Sequence, residues 1–267
     1  MLRDLPVIHQ LQTLLRYSPL IRSLVGRELK ARYRGSVLGF FWSFINPLLL
    51  LVTYGLVFTY MLPVERPASI EPYLLFFACG ILPWTWFQSS VAEASGVLIA
   101  GGNLIKKVLF PAEVLPVVTV CTNLVQMLLA LPVLALFLLY HGRLAPAAVL
   151  VVLPILVELV FVLGLALVVS ALTVHFRDIQ SILGHLLHVW FFATPVLYHY
   201  GSLSQGMRRI LRFNPMTHVV VSYQQMLFEG RFDHWRGLGA AAVVAIVVFA
   251  LGAWLFDRLR DTLAEEV

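Results

Sequence analysis

The side chains in this sequence that could do chemistry are few and scattered. Glu158 lies near the middle of a long apolar run, and His185 and His188 lie three residues apart in another. Ionisable residues inside apolar spans are functional candidates, but a proton relay needs several in register, which the sequence does not show. Glu158 is therefore either functional or a neutral, hydrogen-bonded carboxyl packed between helices. Two histidines are too few ligands for a zinc site, so we predict no metal and interpret the pair as packing inside a bundle.

The sequence lacks the common motifs of metalloproteases, serine hydrolases and nucleotide-binding enzymes. There is no H-E-x-x-H, no G-x-S-x-G and no G-x-x-x-x-G-K-[ST]. Gly101, Gly102 and Asn103 precede Lys106 and Lys107, but without the spacing of a phosphate-binding loop. We therefore expect a chain that is not an enzyme and cannot hydrolyse nucleotide by that mechanism on its own.

The composition identifies the environment in which any such residue must work. Of the 267 residues, 60% are hydrophobic and 12% are charged, about half the charged share usual in soluble domains. So few charges cannot cover a water-soluble globule, and the long apolar runs indicate an integral membrane protein. The net charge of +5 comes from Lys and Arg at membrane edges, so no nucleic-acid partner is expected.

Six apolar segments are long enough to cross a membrane, which takes about 20 residues. The predicted fold is an all-α membrane protein with a cytoplasmic segment over 1–35, a six-span domain over 36–256 and a cytoplasmic tail over 257–267. The predicted spans are residues 37–62, 73–99, 114–140, 145–174, 179–198 and 238–256.

Orientation follows from Lys and Arg in the short loops, which favour the cytoplasm. Twelve of these residues fall on the face that holds both termini, whereas two opposite loops hold only Arg66 and Arg143. Both termini are therefore predicted to be cytoplasmic. The connection between spans five and six carries five arginines, but the number of spans places it on the outer, non-cytoplasmic side.

That connection reads as two short helices rather than a loop. Asn214 and Pro215 form an N-cap followed by proline at the first helical position. They predict a helix over 216–229 that ends at Gly230, after a shorter helical piece over 203–213. We expect a re-entrant or interfacial hairpin at the outer leaflet.

A basic helix precedes the first span. Ser18-Pro19 is typical of a helix start and Gly35 of a stop. Apolar residues cover one face and basic residues another, and Glu28 lies four before Arg32, the favourable ion-pair order. The segment is either an amphipathic helix in the membrane interface or a solvated basic anchor that only sets topology.

The first span carries two different faces when residues are placed at about 100° each. Phe40, Phe44, Tyr54 and Phe58 share one face, which is apolar and aromatic. The opposite face mixes aromatic and polar groups, and the fifth span has a similar stripe. Such a surface suits sugars, which stack on rings and bond to hydroxyls and amides; the alternative is a membrane-edge aromatic belt with core packing. The predicted translocation path consists of Trp42, Asn46, Thr53, Tyr60, Trp190, Thr194 and Tyr198.

Several motifs together resemble the ABC transporter type-2 permeases that export polysaccharides such as O-antigen, teichoic acid and capsule. The opening R-E-L-K-A-R-Y-R-G-S-V-L-G of residues 27–39 is followed by Trp42 and Asn46-Pro47. The further matching motifs are G-I-L-P-W at 80–84, N-L-I-K-K-V-L-F-P at 103–111, F-R-D-I at 176–179 and N-P-M-T at 214–217.

The resemblance implies a homodimeric permease that works with two separate ATP-binding subunits, which would carry the ATP and Mg²⁺. The chain itself would need no cofactor, and its cargo would be a lipid-linked glycan moved across the bacterial inner membrane. The helix over 18–35 would cradle the ATPase, a coupling helix over 102–111 would dock into it, and Asn214 and Pro215 would belong to an outer gate. The residues assigned to ATPase coupling are Glu28, Arg32, Arg34, Asn103, Lys106, Lys107 and Phe110.

Three other functions compete with this one. A type-2 permease for drugs or lipids would share the architecture but would not need the aromatic and polar stripes. A membrane-embedded transferase would need Asp, Glu or His clustered at one aqueous surface, whereas the candidates here lie at different depths. A scaffold without transport activity is the third alternative.

Overall fold

The computed structural model of this chain describes residues 13, 15–57, 70–102 and 111–266. Every regular element in these ranges is helical, and they contain no β-strand. The helices are α1 Ser18–Arg32, α2 Trp42–Leu56, α3 Tyr73–Ala100, α4 Val114–Tyr140, α5 Val152–His175, α6 Asp178–Phe192, α7 Gln205–Leu211, α8 Pro215–Tyr223 and α9 Trp235–Glu266. Short 3₁₀ turns precede α2 and α5, and a π-helical turn, Gln224–Glu229, continues α8.

Four of the described helices are long and apolar enough to cross a membrane. They are α3, α4, α5 with its preceding turn, and the first 25 residues of α9. These correspond to the predicted second, third, fourth and sixth spans, and α4 has the predicted bounds. The chain is therefore a multi-pass membrane protein.

The predicted first and fifth spans correspond to shorter helices. The described part of the first span, α2, has 15 residues, and the predicted remainder from residue 58 lies outside the described residues. The fifth was predicted over 179–198, but α6 ends at Phe192 after 15 residues, about 22 Å of helix. Pro195 disfavours helical geometry in the residue before it, and the chain turns there.

The last helix is longer than a membrane span. α9 contains 32 residues, about 48 Å, and continues without a break through residue 257, where we expected the tail to begin. It packs along α5 at a point where both helices carry glycine. A Cβ added to Gly252 would lie 2.4 Å from the Gly164 carbonyl oxygen, so the two backbones are nearly in contact.

The N-terminal helix begins and ends close to its prediction. α1 starts at Ser18 with Pro19 in its first turn, and Gly35 follows it with a φ of +79°, a backbone geometry that favours glycine. None of its residues is fully buried, and it lies against α4. This placement agrees with a helix resting on the surface of the bundle.

Candidate translocation, gate and coupling sites

Two of the predicted path residues line a cavity inside the chain. Trp42 and Asn46 of α2 face a space of about 180 Å³ between α2, α3 and α4. Thr53 is exposed and lies outside this cavity. Tyr60 is outside the described residues. On the other face, Tyr54 packs on Phe77 with ring centroids 4.5 Å apart, so that face contacts the core.

The path residues of the fifth span lie together, but in a packed environment. The Trp190 ring packs edge-on against Phe87 at a centroid distance of 5.1 Å. Thr194 is fully buried and its hydroxyl donates to the Trp190 carbonyl oxygen at 2.9 Å. The Thr194 side chain therefore reaches no surface of this chain. Tyr198 is partly exposed and its hydroxyl donates to the Phe192 carbonyl.

Asn214 joins the fifth span to the outer hairpin. Its side-chain oxygen accepts from the Met216 backbone N–H at 3.0 Å, which confirms the predicted N-cap with Pro215 at the first position. The same oxygen accepts from the Trp190 indole at 2.9 Å. Its amide nitrogen donates to the Thr194 hydroxyl and to the Ala193 carbonyl oxygen. Residues that we assigned separately to the path and to the gate thus form one hydrogen-bonded group, the Asn214 cluster.

The second helix of the hairpin, α8, is packed deep in the bundle, whereas α7 is largely exposed. Every residue of α8 after Pro215 is buried, and Gly230 ends the π-helical turn with a φ of +69°, as predicted. The buried Gln224 amide donates to the Pro195 carbonyl oxygen at 2.9 Å. A Cβ added to Gly80 of α3 would lie 2.9 Å from the Gln224 nitrogen. The glycine of the G-I-L-P-W motif therefore lets the hairpin approach α3.

A histidine pair that we did not predict ties α8 to the start of α9. His218 Nε2 lies 2.9 Å from the Arg212 carbonyl oxygen, which can only accept, so Nε2 carries the proton. In the neutral ring, Nδ1 must then accept from His234 Nε2, 2.8 Å away. Burial lowers the pKa of His218, and burial with the nearby His218 lowers the pKa of His234 to about 4. The two residues are 16 apart with no shared periodicity, so no sequence pattern indicates the pair.

Arg32, one of the predicted coupling residues, is hydrogen-bonded within the chain. Its guanidinium donates to Asn123 Oδ1 at 3.0 Å and to Gln126 Oε1 at 3.3 Å. It also forms an ion pair with Glu93 of α3, to which Asn123 donates in turn. We call these four side chains the Arg32 network. It fastens α1 to α3 and α4.

The remaining coupling residues have different outcomes. Glu28 and Arg34 are exposed and so remain accessible to a partner. Asn103, Lys106, Lys107 and Phe110 lie outside the described residues. A groove of about 580 Å³ runs between α1, α3, α4 and the start of α6; its charged and amide lining residues are Arg27, Glu28, Arg32, Glu93 and Gln180.

The scattered ionisable residues of the spans are not assembled into a site. Glu158 is fully buried in α5 close to the Tyr223 hydroxyl of α8, as expected for a packed carboxyl. His185 and His188, which we expected inside the bundle, are exposed on α6, so that interpretation is wrong. Across the described ranges, no group of three or more His, Cys, Asp or Glu could hold a metal ion.

The sequence profile of the ABC-2 type transporter family matches residues 19–228. The chain belongs to this family. The match begins in α1 and ends within the π-helical turn, so it includes both the Arg32 network and the Asn214 cluster.

Named relatives of this ABC-2 permease are polysaccharide transport proteins. The chain is 38% identical over 265 residues, 98% of its length and all of the relative, to the O-antigen export system permease protein RfbA of Myxococcus xanthus. It is 28% identical over 244 residues to a Klebsiella pneumoniae protein of the same name, covering 91% and 92% of the two chains. It is 23% identical over 248 residues to the polysialic acid transport protein KpsM of Escherichia coli, covering 90% and 93%.

Proposed function

We propose that this chain is the permease subunit of an ATP-driven exporter that carries a lipid-linked polysaccharide, of the O-antigen, teichoic acid or capsule type, across the bacterial inner membrane. The observation that carries the proposal is the similarity to an O-antigen export permease along the whole of both chains. The absence of a nucleotide-binding motif in the sequence supports separate ATPase subunits that hold the ATP and Mg²⁺.

The proposed topology has six spans with both termini in the cytoplasm. α2 and α6 supply the first and fifth spans beside the four long helices, and the basic residues of α1 support the orientation. The proposed domains are the cytoplasmic segment 1–35, the membrane domain 36–256 and the tail 257–267. Cysteine replacing Arg66 or Arg143 should react with an impermeant thiol reagent from outside, and cysteine at Lys106 should not, after Cys79 and Cys121 are replaced. The reverse labelling pattern would overturn the orientation.

ATPase docking is proposed on the side of the bundle where α1 lies. Glu28 lines the groove beside α1, and Arg34 is exposed in the turn that follows α1. Asn103, Lys106, Lys107 and Phe110 lie in the sequence between α3 and α4. Replacing Lys106, Lys107 and Phe110 together should reduce ATPase co-purification and substrate-stimulated turnover. Unchanged export by that triple variant would contradict the proposed ATPase docking at these residues.

The translocation path is proposed between two copies of the chain. A single six-span bundle is small for a polymer, and a cyclic pair is the commonest assembly of identical chains. Trp42, Asn46, Thr53 and Tyr60, with the partly exposed Tyr198, are the proposed path residues. Trp190 and Thr194 instead position the hairpin through Asn214, so gate opening would require their hydrogen bonds to break.

Reconstitution tests the proposed cargo. The purified permease and its ATPase would be placed in proteoliposomes, and ATP hydrolysis would be measured with a lipid-linked glycan, with the same lipid carrier lacking sugar, and with amphiphilic drugs. Stimulation and transport only with the glycan would support the proposal. Stimulation by drugs or by the sugar-free lipid alone would favour a drug or lipid exporter and overturn it.

A further inference from the structure

The cavity between α2, α3 and α4 has the same polarity gradient on each of its three walls. On α2 the lining runs from Trp42 and Asn46 to Leu50, moving away from α1. On α4 it runs from Asn123 and Gln126 to Ala130, Val133 and Leu134 in the same direction. On α3, which is antiparallel to both, it runs from Ser89 and Thr85 to Leu82 and Ile81. Three independent helices therefore make one end polar and the other apolar.

The length of this gradient matches half a membrane. Residues 123 to 134 of α4 span 11 rises of the helix, about 16 Å. Half of the hydrocarbon thickness of a bilayer is about 15 Å. The polar end lies beside the Arg32 network, since Asn123 and Gln126 belong to both. The cavity thus extends about 16 Å from the Arg32 network towards the opposite end of α4.

One basic side chain lies beside the polar end, and the wall is partly exposed at the side. The Arg32 guanidinium donates to Asn123 and Gln126, which both line the cavity, and it also pairs with Glu93. Four of the lining residues are only partly buried: Leu82, Thr85, Gln126 and Val133. A lipid acyl chain could therefore enter from the surrounding leaflet.

We propose that this cavity binds one acyl chain of an anionic membrane phospholipid, with its phosphate near Asn46, Gln126 and Arg32. The apolar end accepts the chain, because burial of each methylene is favourable by an amount proportional to its area. The amides and the positive charge favour the phosphate. In the orientation proposed above, membrane phospholipids surround this part of the protein. Their headgroups and acyl chains follow the same order as the polar and apolar ends of the cavity. The site would lie within one subunit, and it shares Trp42 and Asn46 with the path proposed between two copies.

Photolabelling of the full-length chain in nanodiscs tests the site. The probe is phosphatidylglycerol with a diazirine in one acyl chain, competed with unlabelled phosphatidylglycerol, phosphatidylcholine or a polyprenyl phosphate. We expect labelled peptides that contain Leu50, Ile81 or Val133, and competition by phosphatidylglycerol above the other two lipids. Labelling spread evenly over the outer surfaces of α6 and α9 would overturn the proposal. Stronger competition by polyprenyl phosphate would also overturn it, because the cavity would then belong to the carrier of the cargo.

A second experiment tests the same site with cavity-filling variants. Val133→Phe on α4 and Thr85→Phe on α3 each occupy the space from a different wall, and Ala240→Phe is the matched control because residue 240 is exposed on α9. Both cavity variants should reduce labelling at the cavity about 15- to 60-fold, the loss expected when two or three methylenes are displaced from an apolar site. Ala240→Phe should leave it unchanged. Equal labelling in all three variants, at matched thermal stability, would overturn the site. The assay needs neither ATPase nor cargo, so failed glycan transport would not affect it.

Discussion

The contact between Gly164 of α5 and Gly252 of α9 gives a prediction whose size can be worked from distances. A Cβ on residue 252 would lie 2.4 Å from the Gly164 carbonyl oxygen, and one on residue 164 would lie 2.6 Å from the Phe249 Cα. Both neighbours are backbone atoms, which cannot rotate away as a side chain can. An ordinary carbon–oxygen contact is about 3.3 Å or more, so the two helices must separate by roughly 1 Å.

Gly252→Ala should therefore destabilise the chain although alanine favours helices. Overpacking a close contact costs about 1–3 kcal/mol, and the helix propensity of alanine offsets up to about 1 kcal/mol. Gly239→Ala is the control on the same helix, because nothing lies within 4 Å of its added Cβ. That variant should gain roughly 0.5–1 kcal/mol.

Thermal unfolding in detergent, followed by fluorescence-detected size exclusion, compares the two variants. The gap between them should be about 1–3 kcal/mol, or on the order of 2–12 °C for a domain of this size. Gly164→Ala should shift the midpoint in the same direction as Gly252→Ala. Equal midpoints for Gly252→Ala and Gly239→Ala would refute the close approach of α5 and α9.

Three further results are expected. Arg32→Glu and Glu93→Arg should each lower the thermal midpoint and substrate-stimulated ATPase activity, by about 1–2 kcal/mol in stability because the pair is partly exposed, and the double exchange should restore both; no recovery would argue against a direct ion pair. The pKa of His234 is lowered from 6.5 to about 4, so the folded chain resists protonation and loses stability as pH falls from 6.5 towards 4; His234→Asn should flatten this slope, measured by unfolding at a series of pH values against a His218→Asn variant. Trp190→Phe keeps most of the ring packing but removes the donor to Asn214; it should cost about 1 kcal/mol and raise accessibility of the hairpin in hydrogen exchange, and unchanged exchange would show that the bond does not hold the hairpin.

Local chemistry explains what the sequence could predict. The long spans follow from apolar length, because a bilayer requires about 20 apolar residues in a row. The hairpin follows from Asn214-Pro215 at one end and Gly230 at the other, since a cap, a fixed φ and a positive φ are properties of single residues. The family motifs were recognisable because their residues are contiguous.

Contacts between distant segments explain what the sequence could not predict. Arg32 had a plausible partner in Glu28, four residues away, yet its acidic partner is Glu93, 61 residues away. Thr194 continues the stripe of Trp190 by helical spacing, but the helix ends at Phe192 and the side chain turns inward. A periodicity argument assumes one straight helix and one exposed face, and both assumptions fail where α6 ends.

The two ends of the proposed transport machinery meet on a single helix. Glu93 of α3 forms an ion pair with Arg32 of α1, and Gly80 of the same helix lies close to the Gln224 side chain of the hairpin. These positions are 13 residues apart, about 20 Å along the helix axis, and most of the helix between them is buried. Close-packed helices move as stiff bodies rather than deforming continuously. A displacement of α1 by a docked ATPase would therefore be transmitted to the hairpin through α3. In the proposed exporter, α3 would therefore link the docked ATPase to the outer gate, and the Arg32 network would fasten α1 to that helix.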